Sequence, residues 1–139
     1  MKTKNIQQEV FIEASPAEVY QALMDSKIHS KFTGDIAYMG KNVGEKFSTF
    51  NGYATGENLE LKPNNKIVQS WRANDWSSGH YSTIHFELKS YKNGTLMKFH
   101  QTNIPEEQVQ DISDGWQEYY WKPMKAMFKN NKKKNTHNK

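Results

Sequence analysis

Between residues 45 and 102, tight-turn signals cut the chain into short segments of alternating polarity. After Pro105 the apolar residues recur every three or four positions instead. A chain patterned this way builds an antiparallel meander and then lays one helix against it. Asn51-Gly52 and Asn93-Gly94 are hairpin dipeptides whose turn positions favour positive φ, and Pro63-Asn64-Asn65 is a third turn. The segments between them predict strands over 45–50, 53–62, 66–73, 80–90 and 95–102. Ile84, Phe86 and Leu88 fall on one strand face, with Tyr81, Thr83, His85 and Glu87 on the other.

Before the meander, residues 3–13 alternate as a half-buried strand, Ile6, Gln8, Val10 and Ile12 on one side. Ser15-Pro16-Ala17-Glu18 then carries a capping box and an N1 proline, which predicts a helix over Pro16–Met24. Ser26–Phe32 reads as a second short helix, stopped by Thr33-Gly34. After the meander, Val109, Ile112, Trp116, Tyr119/Tyr120, Pro123 and Met127 mark one helical stripe from Pro105 to Lys129. Such a helix is about 37 Å long, and six or seven strands span about 29–34 Å, so one helix can cross the whole sheet. The expected fold is α+β: a curved antiparallel sheet of six to seven strands gripping a long C-terminal helix, with two short helices after the first strand. Residues 1–129 are expected to form a single domain, and 130–139, rich in Lys and Asn, a disordered tail.

Composition narrows the function. Only 35% of residues are hydrophobic, and mean hydropathy is −0.96, so the 18 aromatic residues must supply much of the core. The net charge of +4 belongs to the last eleven residues, which hold five lysines and no acid. Without them fourteen basic residues face fifteen acidic ones, and a nucleic-acid-binding domain would carry its basic face on the folded body. No stretch matches the ~20 apolar residues of a membrane span, and the N-terminus has no apolar signal core. With no cysteine, these features fit a cytoplasmic protein that binds neither nucleic acid nor membrane.

No catalytic constellation stands out, and no cofactor or metal site is expected. The histidines (His29, His80, His85, His100, His137) lack zinc-motif spacing and read as surface or hydrogen-bonded groups. His80 and His85 point to opposite faces, and nothing in the sequence joins Glu57 to His100. An enzyme of cyclase or hydratase type would need a pocket holding a buried carboxylate or histidine of strongly shifted pKa.

Three clusters carry more information: Gly44–Phe47; Ile67–Arg72 with Trp76–Thr83; and Gly115–Trp121. Trp116 and Tyr120 share a helical face, and Gly115 reads as a point of close approach to the sheet. An aromatic stripe of this kind packs a core or lines a cavity between helix and sheet. Phe47, Trp71, Phe86, Phe99, Trp116, Tyr119 and Tyr120 are the cavity candidates, with tyrosine hydroxyls, indole N–H groups and His100 as its polar contacts. Trp76 lies in a polar loop and is either a lid over the core or an exposed anchor; with Arg72 and His80 it forms a candidate partner surface.

These clusters resemble the activators of the heat-shock protein 90 ATPase, within the START-like (SRPBCC) superfamily, and above all the C-terminal domain of the two-domain activators. The resemblance covers roughly residues 5–128. It rests on Ser15–Tyr20, Lys46-Phe47, Gly56-Glu57, Leu59, Leu61–Pro63, Lys66–Val68, Trp71-Arg72, Trp76, Gly79–Thr83, Ile104-Pro105, Gly115–Gln117 and Tyr119-Tyr120. It implies the helix-grip fold of the birch-pollen-allergen type and a non-enzymatic role in the stress response: binding the chaperone and promoting its ATPase cycle. Superfamily relatives instead carry hydrophobic small molecules between sheet and helix, which is the alternative reading. The N-terminal domain of the two-domain activators, which makes a major chaperone contact, is expected to be missing, since the chain opens on the first strand. Glu45 replaces a frequent glycine, and Pro123 is expected to kink the last helix. Exposed strand edges are compatible with a monomer or a weak homodimer.

Overall fold

Strand β1 (Thr3–Ile12) leads into α1 (Pro16–Met24) and α2 (Ser26–Thr33). The meander follows as β2 (Tyr38–Met39), β3 (Lys46–Thr49), β4 (Ala54–Lys62), β5 (Lys66–Ala73), β6 (Ser82–Tyr91) and β7 (Gly94–Pro105). A 3-10 turn at Glu106–Gln108 then opens α3 (Val109–Trp116), and a π turn at Gln117–Trp121 joins it to α4 (Lys122–His137). The computed structural model describes residues 2–137, with side chains through residue 132. All seven strands form one antiparallel sheet in the order β1-β7-β6-β5-β4-β3-β2. This is the helix-grip fold.

Local chemistry sets the elements. Ser15 and Glu18 make both halves of the capping box, at 3.1 and 3.0 Å, and Asp25 caps α2 through the Ile28 N–H. Asn51-Gly52 turns at φ 54° and 92°, as a hairpin requires. The β6–β7 turn falls one residue earlier than Asn93-Gly94 predicts. Lys92 takes the positive φ (52°), and Gly94 already belongs to β7, where a Cβ would lie 2.3 Å from the Ile12 carbonyl oxygen. Glu45, the departure from glycine, accepts backbone N–H bonds from Lys41 and Asn42 and closes the loop before β3. The strand Tyr38–Met39 was not among the segments the sequence defines.

The C-terminal rod is one continuous right-handed helix, since Gln117 (φ −68°, ψ −49°) and Lys122 (φ −61°, ψ −53°) both keep helical dihedrals. Pro123 has no N–H to give the Tyr119 carbonyl. Just before it the helix takes in one extra residue, and the Lys122 N–H reaches back to the Gln117 carbonyl. The buried stripe therefore shifts by one. Ile112, Trp116, Tyr120, Trp121, Met124 and Phe128 are buried, whereas the sequence stripe ran on through Pro123 and Met127, which are only partly buried. Residues five apart on an α-helix point ~140° away from each other. Across the π turn, the Trp116 and Trp121 rings instead stack at 5.5 Å with planes 20° apart.

The helix continues through His137, so the backbone of 130–137 is helical where a disordered tail was expected; residues 138–139 lie outside those described. The packed first turns of α4 supply the costly nucleus, lysine propagates it well, and Lys132 reaches Glu13 at 3.3 Å.

The helix's aromatic face fills the sheet's concave side. Trp116 packs on Phe99 (4.5 Å between centroids) and Tyr120 (4.5 Å), and Trp121 on Phe99 (5.4 Å). Removing the Trp121 ring should cost about 3–5 kcal/mol. Tyr119, one residue before this pair, is 61% exposed, so Tyr119→Ser should stay within about 1 kcal/mol. Urea unfolding of Trp121→Ala and Tyr119→Ser measures both; similar losses would contradict the phase set by the π turn.

Candidate functional site

An indole N–H can only donate, so each buried tryptophan needs an acceptor. Three of the four find it on a glutamine side chain. Trp116 Nε1 donates to Gln101 Oε1 (2.8 Å), Trp121 Nε1 to Gln8 Oε1 (2.6 Å) and Trp76 Nε1 to Gln108 Oε1 (2.7 Å). The Gln101 amide passes the chain on to Ser82 Oγ (2.9 Å), whose hydroxyl donates to the Trp71 carbonyl (2.7 Å). These bonds fix how helix and sheet meet, and an apolar cleft lies beside that contact at the β3–β4 turn.

The cleft has a volume of about 300 Å³. Its walls are Phe50 and Tyr53 from the β3–β4 turn, Trp71 of β5, Asp111, Ile112 and Gly115 of α3, and Trp116, Tyr119 and Tyr120 beyond them; Thr49 completes it. At Tyr120 the apolar wall meets buried polar groups. The Tyr120 hydroxyl donates to His29 Nε2 (3.1 Å), while His29 Nδ1–H donates to the Leu23 carbonyl (3.1 Å), which fixes the tautomer. Burial raises the Tyr120 phenol's pKa, so it stays a donor. Thr49 Oγ1 lies near enough to that phenol to oppose the shift, yet no well-formed hydrogen bond reaches it and it is fully buried.

Of the seven cavity candidates, the structure brings Trp71, Trp116, Tyr119 and Tyr120 to the cleft. Phe86 and Phe99 pack under Trp116 and Trp121, and Phe47 is buried against β4 at Gly56, so these three fill the core instead. His100 is also displaced. It lies on the sheet face away from the helix, stacked on His85 across β6–β7 at 4.1 Å and 7°, because its register partner fixes its side of the pleat. Gly115 does not mark a close approach to the sheet: a Cβ there would meet only Tyr119, at 3.8 Å, and would protrude into the cleft. Thr49, Phe50, Tyr53, Asp111 and Ile112 carried no sequence signal for this site.

The partner-surface candidates form one knot. Trp76 is 5% exposed, buried over the core rather than projecting from its loop. Its ring packs on Trp71 (5.4 Å) and His80 (5.4 Å), and Gln108 takes its N–H, which removes the reason for an indole to remain at the surface. Arg72 Nη2 donates to the Trp76 carbonyl (2.6 Å), and His80 Nε2 bonds the Asn103 carbonyl (2.9 Å). Arg72 and His80 thus hold the loop down.

Among the described residues, no group of three His, Asp or Glu side chains is placed to hold a metal ion, and no helix is long and apolar enough to cross a membrane. His29 is the buried histidine of shifted pKa that an enzyme would need, but it lies behind Tyr120, outside the cleft lining, with both ring nitrogens engaged.

A family model described as "Activator of Hsp90 ATPase homolog 1-like protein" matches residues 13–129. The chain belongs to this family. It is 30% identical over 114 residues to the human activator of 90 kDa heat shock protein ATPase homolog 1, a match covering 82% of this chain and 34% of that protein. The chain therefore spans about a third of the length of the curated relatives it matches. The crystal structure of an HSP90 activator from Plasmodium falciparum superposes with a TM-score of 0.82 at 27% identity, covering 92% of this chain and 96% of that one. The solution structure of the Aha1 dimer from Colwellia psychrerythraea gives 0.72 at 26% identity, covering 84% and 90%.

Burial lowers the His29 pKa from 6.5 to about 4, against the opposing Leu23 hydrogen bond. Above pH 6.5 the imidazole is neutral in both folded and unfolded chains and carries no penalty. As pH falls from about 6.5 to about 4 the unfolded chain takes a proton that the folded one refuses, so stability drops, and it levels off below that window. The full penalty is about 3 kcal/mol. Urea unfolding across pH 4–7 should show this loss in the wild type and a flatter profile in His29→Gln; parallel profiles would contradict it.

Proposed function

We propose that this protein is a non-catalytic, co-chaperone-like module that binds heat-shock protein 90 and promotes its ATPase cycle. The observation that carries this reading is the family match across residues 13–129, joined by likeness to proteins named for activating that ATPase. The interior favours it too. Where a carrier would keep room between helix and sheet, Trp116, Tyr120 and Trp121 pack against Phe86 and Phe99, so the surface is left to do the recognition. Mixing the full chain with its host's heat-shock protein 90 should give a measurable heat of binding and a faster ATPase. Neither signal at high protein excess would overturn the reading.

A second reading rests on the cleft. At about 300 Å³ it lies at the small end of ligand pockets, large enough for a one- or two-ring apolar molecule. Cyclohexanol is a suitable probe, because it neither absorbs nor emits where Trp71 and Trp116, which line the cleft, report by fluorescence. Binding should saturate in the wild type and weaken at least ~10-fold in Gly115→Leu, whose side chain would occupy the cleft while leaving the helix intact. Equal response in both proteins would place the probe elsewhere.

A further inference from the structure

We infer that the cleft beside Trp71 and Tyr120 takes a small organic cation, a trimethylammonium or similar alkylammonium group, in preference to a neutral apolar molecule. This rests on the reading of the cleft as a ligand site and names the chemistry that would fill it. The wall is a continuous chain of aromatic rings. Tyr53 meets Trp71 at 6.3 Å between centroids, Trp71 meets Trp116 at 6.0 Å, and Trp116 meets Tyr120 at 4.5 Å. Phe50 then bridges Tyr120 at 5.5 Å and Tyr119 at 6.2 Å. All six rings line the one cleft.

A neutral apolar ligand needs buried area, and aliphatic walls supply that as well as aromatic ones. Aromatic rings add a negative π face, which attracts a cation held within ~6 Å of the centroid. Successive rings here are inclined by 41–75°, so they make a concave wall instead of a flat stack. Tyr53 and Tyr119, 41% and 61% exposed, stand at its open side and give the cleft access to solvent.

The charge around the cleft has one sign. Among the described residues Asp111 is the one charged member of the lining. Burial raises the Tyr53 phenol's pKa, and the carboxylates of Asp75 and Asp111 raise it further, so both project negative potential onto that rim. Arg72, next to Trp71 along β5, is turned to the opposite sheet face, where it donates to the Trp76 carbonyl and lies 5.8 Å over the Tyr81 ring. His29, behind Tyr120, has its pKa lowered to about 4 and adds no positive charge near neutral pH. A neutral ligand makes no use of this potential. An alkylammonium does, and its methyl groups spread the charge, so it gives up less hydration on entry than a lysine ammonium.

NMR of the isotope-labelled full chain at constant ionic strength tests it, with choline and neohexyl alcohol, in which carbon replaces the ammonium nitrogen, as probes. Choline should shift the Gly115 and Tyr119 amides and the Trp116 indole N–H saturably, and bind at least ~10-fold more tightly than the alcohol. Asp111→Asn, and Tyr119→Leu, which keeps apolar area but removes a ring, should each weaken choline at least ~3-fold and leave the alcohol within ~2-fold. Both positions are exposed, so both variants should keep the fold. Phosphocholine carries the same cation beside a phosphate, as a lipid headgroup does, and should bind at least ~3-fold more weakly than choline against this carboxylate rim. Tighter binding of phosphocholine overturns the role given to Asp75 and Asp111. An alcohol that binds as tightly as choline overturns the inference and leaves the cleft to neutral ligands. So does choline that shifts nothing while cyclohexanol saturates; if neither binds, the inference falls together with the reading of the cleft as a ligand site.

Discussion

The structure depends on how two indole N–H groups of the last helix find acceptors inside the sheet. Trp116 and Trp121 bring large apolar area to the core, but each has one proton that cannot be buried unpaired without cost. Gln101 and Gln8 take those protons at 2.8 and 2.6 Å. Gln8 also ties the contact back to the helix through Ser113, so sheet and rod are fixed in rotation as well as in distance. A core of leucines would tolerate sliding; an aromatic core with three satisfied tryptophan–glutamine bonds does not.

The space left for function follows from that rigidity. Because the aromatic face fills the concave side of the sheet, what it leaves beside Trp71 and Tyr120 is a small, mostly apolar cleft. Trp76 closes the neighbouring loop with a third glutamine bond, and Arg72 holds its carbonyl. The buried His29–Tyr120 pair, tied to the Leu23 carbonyl, fixes the orientation of both rings behind the cleft. What remains exposed is the outer sheet face and the charged side of the rod.

Most of the fold was legible in the residues. The capping box at Ser15, the proline after it, the asparagine–glycine turn at 51–52 and the switch of period after Pro105 each act over a few residues, and the elements followed them closely. The site was legible only in part. Trp71, Trp116, Tyr119 and Tyr120 reach the cleft, but Phe86 and Phe99 have the same composition signal and lie one layer deeper. Thr49, Phe50 and Tyr53 come from the hairpin tip, where nothing local distinguishes a cleft wall from a turn. Pro123 announced a disturbance, but an inserted residue and a broken helix leave the same mark in the sequence.

By itself, then, the sequence determined the elements, their order and the apolar weight of the last helix, because turn chemistry, caps and side-chain period are properties of neighbours along the chain. Only the tertiary structure decided which side of the helix faces inward after the π turn, that Trp76 is buried, and that His100 faces away from the core. Those outcomes depend on Gln8, Gln101, Gln108 and the β6–β7 register, partners in most cases many residues distant. A donor's choice among remote acceptors is settled by packing, and no local pattern records it.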